Sequence, residues 1–426
     1  RMYKDGLIYR GNRVVNWDPK GQTTVSDDEV DHVSQKAKLY YFKYDKDFPI
    51  TIATTRPETK FGDTAVAVNP DDARYHQYIG QTFDVDFVGV KLSIKIIADR
   101  DVNMDFGTGA LGVTPAHSQI DWEMGVRHDL EAKQVINEYA KITVEHEEYN
   151  GKKTTEVREI IIQKLKDAGL LEKEEEIEQN VSVSQRTGAT IEPLPKLQWF
   201  VHVNRKIPTH NNKTLKGLML EPVLNKEIGI IPEHFEKIYD NWLGNLRDWC
   251  ISRQIWYGHR IPVWYKNGEE MFSVNSPGSG WEQDPDTLDT WFSSGLWTFS
   301  TLGWPDQTKD LKTYHPTTVI ETGHDIIFFW IARMILMSTY LIGEVPFKTV
   351  YLHGMVLDKN GKKMSKSHPE TAIDPVEIIE RHGADALRMA MIVGVGPGNN
   401  NSLSEDKIKA YTKFANKIWN ATRFVL

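Results

Sequence analysis

Three lysines and two serines crowd one short segment, Lys362, Lys363, Met364, Ser365, Lys366 and Ser367. Ammonium groups are compact, mobile charges that suit a triphosphate, and charge developing on a leaving pyrophosphate asks little covalent chemistry of a protein. A lysine-rich string alone reads better as a solvated basic loop, so its neighbours must decide. Gly107, Thr108, Gly109, Ala110, Leu111 and Gly112 spell the GxGxxG string of dinucleotide-binding proteins. That string must open a helix, and Pro115 follows too closely for one to start, so these glycines read as a pocket-shaping turn. Asp121 stands four residues beyond His117 and, taken alone, is an ordinary helix cap. Ile326 and Trp330 are one helical turn apart and could floor an apolar pocket the size of a branched side chain; packing in a helix core explains them equally well.

Elements must hold these groups. Thr349, Val350, Tyr351 and Leu352 read as a buried strand that ends at His353 and Gly354, just before the lysine loop. After the loop, Asp374, Pro375 and Glu377 carry the cap, first-position proline and box partner of a helix. The spacing of Ile326, Phe329, Trp330, Arg333, Met334 and Met337 predicts a helix over 326–341, with Asp325 as its cap. A helix, a strand, a basic loop and another helix make an α/β nucleotide fold. Tryptophan recurs from Trp242 to Trp330, as in a large aromatic-lined core or pocket. Upstream, 39–42, 50–53 and 65–68 are strand-like runs bounded by turn residues. A charged helix is predicted over 154–168 with Gly169 as its stop, and the acidic run 172–178 reads as a solvated face or connector.

At 426 residues the chain should hold about two to four domains. Hydrophobic residues at 40% and charged residues at 26% give the balance of a globular rather than a disordered chain. No uninterrupted apolar run of about 18 residues predicts a membrane helix, and no apolar stretch follows Arg1 as in a signal peptide, so a cytoplasmic location is expected. The single cysteine, Cys250, closes no internal disulfide, and no CxxC or HExxH pattern offers a zinc site. A formal net charge of −8 argues against bulk wrapping of nucleic acid while leaving room for a local basic groove.

The segment from His353 to Asp358, then Lys363 to Ser367, then Asp374 and Pro375, resembles the KMSKS region of class I aminoacyl-tRNA synthetases. Leu194 to Phe200, Asp248 to Gln254, Gly258 to Trp264, Asp289 to Gly295 and Gly323 to Trp330 resemble the valyl branch of the valine, isoleucine and leucine group, in order along nearly the whole chain. The isoleucyl branch is the near neighbour, with a different signature around Trp291. The resemblance implies an α/β, Rossmann-like catalytic domain interrupted by a β-rich, barrel-like editing domain. Residues 1–38 and 199–395 would be catalytic, 39–198 the insertion, and 396–426 the start of a helical anticodon-binding region. It implies ATP-dependent joining of valine to tRNA(Val), with Mg2+ accompanying ATP, no structural zinc, no membrane and a monomeric enzyme. Lys363 and Lys366 would contact the ATP phosphates beside Ser365, with Gly323 and Asp325 near the adenosine and the backbone of His353 and Gly354 near adenine. Trp291, Ile326 and Trp330 would line the valine pocket.

An apolar pocket rejects threonine in favour of valine by only about a hundredfold, a figure known for valyl enzymes in general, so a second, hydrolytic site is required. Thr54 to Thr59, and Gly107 to His117 with Asp121 beyond, resemble its two strings. Asp121 would bind the α-amino group of the mischarged threonine or position water. Thr54, Thr55, Arg56, Phe106, Thr114 and His117 would shape the pocket around the ester and the terminal adenosine.

The chain also departs from the pattern. The His-x-Gly-His signature is absent, and its nearest look-alike, Trp256 to His259, lacks the first histidine. A fragment is expected, beginning inside the catalytic domain, keeping an intact editing module and lacking the anticodon-binding domain; a tRNA-binding piece without synthetic activity is the alternative. Ser118 stands where Asp is usual and Gly112 where Lys is common, either of which would weaken hydrolysis or shift its specificity. Asp18, Gly21 and 185–188 carry none of the cysteines of zinc-binding relatives.

Overall fold

Apolar residues alternating with polar ones build the first part of the chain into strands, and the computed structural model describes them within residues 1–361, 364 and 373–426. Two units form, Arg1–His202 with Asp248–Asp289, and Val203–Arg247 with Thr290–Leu426. In the first, β1 (Ile8–Asp18) turns into β2 (Thr23–Val25) where the Asp18 carboxylate accepts the N–H groups of Lys20 and Gly21 at 3.0 and 2.8 Å. Then come β3 (Val30–Phe42), β4 (Ile52–Thr54), β5 (Ala65–Val68), β6 (Thr82–Phe87), β7 (Val90–Ala98), β8 (Ala110–Val113), α1 (Gln119–His128), α2 (Thr154–Asp167), β9 (Leu171–Ser184) and β10 (Glu192–Val201).

These strands form three sheets: β10-β1-β2 with the short strand Trp249–Cys250 beside β10, then β4-β3-β9, then β6-β7-β5-β8. None closes into a barrel among the described residues, although the unit is as rich in strands as expected. Phe42, Phe48, Ile52, Phe61, Phe87 and Ile96 fill the core between them. The helix predicted over 154–168 is α2, whose buried Val157, Ile161 and Leu165 recur every fourth residue. The acidic run 172–178 is no connector: it lies within β9, paired residue by residue with β3, where Lys38 donates to Glu174 at 3.0 Å. Leu39, the expected start of the insertion, falls inside β3.

The second unit contains α3 (Leu215–Leu224), β11 (Gly229–Ile231), α4 (His234–Gly244), α5 (Thr290–Ser294), β12 (Thr317–Gly323), α6 (Ala332–Leu341), β13 (Phe347–His353), α7 (Pro375–His382), α8 (Ala384–Ile392) and α9 (Glu405–Val425). Its sheet is parallel, in the order β11-β13-β12, and the central strand buries Phe347, Val350 and Leu352. Asp374 caps α7 as expected, accepting the Val376 N–H at 2.8 Å.

The helix predicted over 326–341 needs correction. A 3-10 turn (His324–Ile326) leads into a π-helical segment (Ile327–Ile331) and only then into α6, and Asp325 lies inside the first turn while Gly323 caps it. The widened turn lets three consecutive aromatics seek different partners: Phe328 stacks on Trp242, Phe329 leans on Trp291, and Trp330 meets Trp297 edge-on. By length and composition His324–Leu341 also passes as a membrane span, at mean hydropathy 1.2, yet 61% of it is buried in the protein and it packs as a core helix.

Candidate functional site

Gly323 and His353 pair across β12 and β13 at the carboxyl ends of both strands. Ligand crevices of parallel α/β sheets open at this edge. Gly323 carries no side chain, and an added Cβ would stand 2.5 Å from the Asp325 carboxylate, which folds back over the strand end. The His353 ring is fixed by its own neighbour: Nδ1 lies 2.8 Å from the Gly354 carbonyl, and Nε2 lies 3.3 Å from Glu321. Gly354 answers a demand of the chain itself, since a Cβ there would meet the Asn399 carbonyl at 2.0 Å. The structure therefore brings Gly323, Asp325, His353 and Gly354 to one edge. Lys363, Ser365 and Lys366 lie outside the described residues.

Trp291 and Trp330 meet the same junction of α5 with the π segment. The Trp291 ring centroid is 5.3 Å from that of Phe329, and the Trp330 N–H donates to the Ser294 carbonyl at 3.2 Å. Ile326 precedes the π segment with φ −113° and ψ 20°, so it does not share a regular α-helical face with Trp330 as the spacing predicted. All three side chains are half-buried.

In the first unit, the turn at Gly107 and Gly109 has positive φ at both glycines, +61° and +76°, and lies against Ala53 of β4. It runs into β8 rather than a helix, as its following proline predicts. Thr54 ends β4, and its hydroxyl accepts the Arg56 N–H at 3.0 Å; the Thr55 hydroxyl accepts from Gln179 at 3.1 Å. Arg56 binds Glu192 at 2.7 Å and Glu58 at 3.2 Å. Burial opposes its charge, and the two carboxylates outweigh burial and raise its pKa. Phe106, on the same glycine turn, is 61% exposed.

Thr114 follows β8, and its N–H donates to Asp121 Oδ2 at 2.8 Å. Asp121 is buried in the first turn of α1; the cap is Ser118, whose hydroxyl accepts the Asp121 N–H and bonds Asp121 Oδ1 at 3.0 Å. His117 is neutral and fully occupied. Its Nε2 accepts the Val135 N–H at 2.9 Å and its Nδ1 faces the Pro193 carbonyl at 3.2 Å, while burial, with Arg56 nearby, lowers its pKa to about 3.

Sequence reasoning missed the charges beneath this pocket. Lys60 and Tyr44 both donate to Asp63, and Glu58 and Glu192 both accept from Arg56. Burial raises the Asp63 carboxyl despite the Lys60 ammonium, and burial with Asp63 beside it lifts the Tyr44 hydroxyl well above its usual range. No signal in the sequence marks Lys60, whose place inside the wholly buried 3-10 turn Pro57–Gly62 appears only in the fold.

A family model described as tRNA synthetases class I (I, L, M and V) matches residues 1–278 and 270–403. The chain belongs to the class I tRNA synthetases. Among relatives of this chain, a valine–tRNA ligase of Dehalococcoides mccartyi is 48% identical over 436 residues, covering 100% of this chain and 48% of that protein. One from Clostridium acetobutylicum is 47% identical, with 100% and 48% covered, and one from Thermotoga maritima is 46% identical, with 100% and 49% covered. The chain thus spans about half the length of the curated relatives it matches.

Proposed function

We propose that this chain is part of a valine–tRNA ligase that activates valine with ATP, transfers it to tRNA(Val) and hydrolyses threonyl-tRNA(Val). The observation that carries the reading is identity of 48% to such a ligase over the full chain. In activation, a valine carboxylate oxygen attacks the α-phosphate and pyrophosphate leaves; a terminal ribose hydroxyl then attacks the adenylate carbonyl and AMP leaves. The crevice at Gly323 and His353 would hold the nucleotide, Lys363 and Lys366 would balance the phosphate charge, and Trp291, Ile326 and Trp330 would line the valine pocket. Mg2+ would travel with ATP, held mainly by its phosphates.

For editing, water adds to the threonyl ester carbonyl and the ribose oxygen leaves with a proton. Asp121 would take the substrate's α-amino group, with Thr54, Thr55, Arg56, Phe106 and Thr114 around it. His117 is excluded as the base, because both ring nitrogens are engaged by backbone and its affinity for a proton is low. The same reading makes 39–198 the editing insertion between catalytic segments 1–38 and 199–395, with 396–426 leading to tRNA-binding helices, in a monomeric cytoplasmic enzyme.

Two assays test it. The intact protein should exchange pyrophosphate into ATP with valine in preference to isoleucine; the reverse preference would make it the isoleucyl enzyme. This chain should hydrolyse threonyl-tRNA(Val) faster than valyl-tRNA(Val), and Asp121→Ala should remove that activity. A folded chain without hydrolysis would sink the editing half of the reading.

A further inference from the structure

The first unit buries a charge that the proposed chemistry does not use. Lys60 is 5% exposed, and its ammonium donates to the Gly112 carbonyl at 2.7 Å, the Thr114 hydroxyl at 2.9 Å and the Asp63 carboxylate at 3.2 Å. Those three bonds use all three of its protons. Asp63 is fully buried and also accepts the hydroxyls of Thr114 and Tyr44. Buried ion pairs add little stability over apolar replacements, so stability is a weak reason for keeping this one.

The room for the carboxylate and hydroxyl beside the ammonium depends on residue 112 lacking a side chain. A Cβ there would stand 2.5 Å from Asp63 Oδ2, 2.6 Å from the Tyr44 hydroxyl and 3.2 Å from Ile52. Lys60 itself meets Gly112 through the glycine carbonyl, across 52 positions of chain. Between them Thr114 is held from both ends: its hydroxyl accepts from Lys60 and donates to Asp63, and its N–H holds Asp121 Oδ2.

We infer that Lys60 is a positioning residue of the editing site: held by the Gly112 carbonyl and Asp63, its ammonium fixes Thr114 and, through the Thr114 N–H, the orientation of Asp121 toward the aminoacyl ester. The inference rests on the editing reading above. It also recasts the glycine at 112, because the positive charge expected from a lysine there arrives from residue 60 instead.

The test measures kcat and KM separately for threonyl-tRNA(Val) hydrolysis by wild-type chain, Lys60→Met and Gly112→Ala, with thermal melts of each. Lys60→Met removes the charge at similar length, and Gly112→Ala presses on the same cluster with the lysine present. Misplacement of Asp121 should lower kcat by about ten- to a hundredfold with KM changed less than about threefold, in variants that still melt cooperatively. Wild-type kcat in a folded Lys60→Met overturns the inference. If Lys60→Met does not fold, a wild-type kcat in Gly112→Ala overturns it. Hydrolysis by wild type that Asp121→Ala abolishes and Lys60→Met leaves untouched defeats this inference alone; no hydrolysis by folded wild type defeats the editing reading with it.

Discussion

The guanidinium of Arg56 reaches the carboxylate of Glu192 at 2.7 Å across 136 positions of sequence. That bond ties the turn after β4 to the first residue of β10, and Glu192 is itself only 5% exposed. Removing the cation would strand a buried carboxylate, while Glu58 keeps Arg158 at 2.7 Å. Arg56→Ala should therefore lose about 3 kcal/mol of stability, read as a lower urea midpoint at unchanged slope. A loss under about 1 kcal/mol would mean that water already satisfies Glu192.

His117 gives a pH signature. Its folded pKa, lowered to about 3 by burial, lies below the ordinary value of 6.5, so the unfolded chain takes up this proton first as pH falls. The sign follows: the stability this group contributes is complete above about 6.5 and is lost on the way down toward 3, by at most about 1.4 kcal/mol per pH unit. Thermal melts between pH 7 and 4 should show that slope, and His117→Asn should flatten it. An unchanged slope in the variant would place the proton uptake elsewhere.

Gly354→Ala should be costly in the second unit. The new methyl would meet the Asn399 carbonyl at 2.0 Å, and neither partner is a side chain that can swing away. Overpacking of this kind costs about 1–3 kcal/mol, and the end of β13 must shift. In the intact protein we expect weaker ATP binding in pyrophosphate exchange; equal KM for ATP in mutant and wild type would show that the strand end does not meet nucleotide.

Trp330→Phe keeps the ring and deletes the N–H that binds the Ser294 carbonyl at 3.2 Å. About 1 kcal/mol of stability should go with it. If the tryptophan lines the amino-acid pocket, KM for valine rises severalfold in exchange assays, whereas a purely packing role would leave KM alone and move only the melting temperature.

Some of this architecture was legible in residue order and some was not. Positions 65–68 and 349–352 are apolar runs between turn residues, which have few uses besides a buried strand, and both became one. Residues 172–178 hid their strand because their carboxylates find cations across the ladder, as Glu174 finds Lys38 from 136 residues away. The helical character of 326–341 was visible in its spacing, but the π turn depends on Trp242, Trp291 and Ser294, which no local pattern can announce. Asp121 reads as a candidate site residue only by resemblance, and the cap of α1 is Ser118, which the family pattern marks as a departure. Lys60 escaped because a buried ammonium needs Gly112 and Asp63 around it, and only folding brings these together.

One feature of the first unit reaches beyond its own chemistry: β3 and β9 run side by side from Val30 opposite Ser184 to Phe42 opposite Leu171, while β1 continues against β10 with Trp17 opposite Glu192. The long excursion between them leaves and returns through a gap one strand spacing wide, about 5 Å. To β1 and β10 it is a loop, and doubling the length of a loop adds only about 0.6 kcal/mol to the cost of closing it. Such a doorway lets chain be grafted, lengthened or trimmed back to a tight turn while the strands at the threshold keep their register. It is where a protein can take in a whole new piece of machinery without rebuilding the wall it enters through.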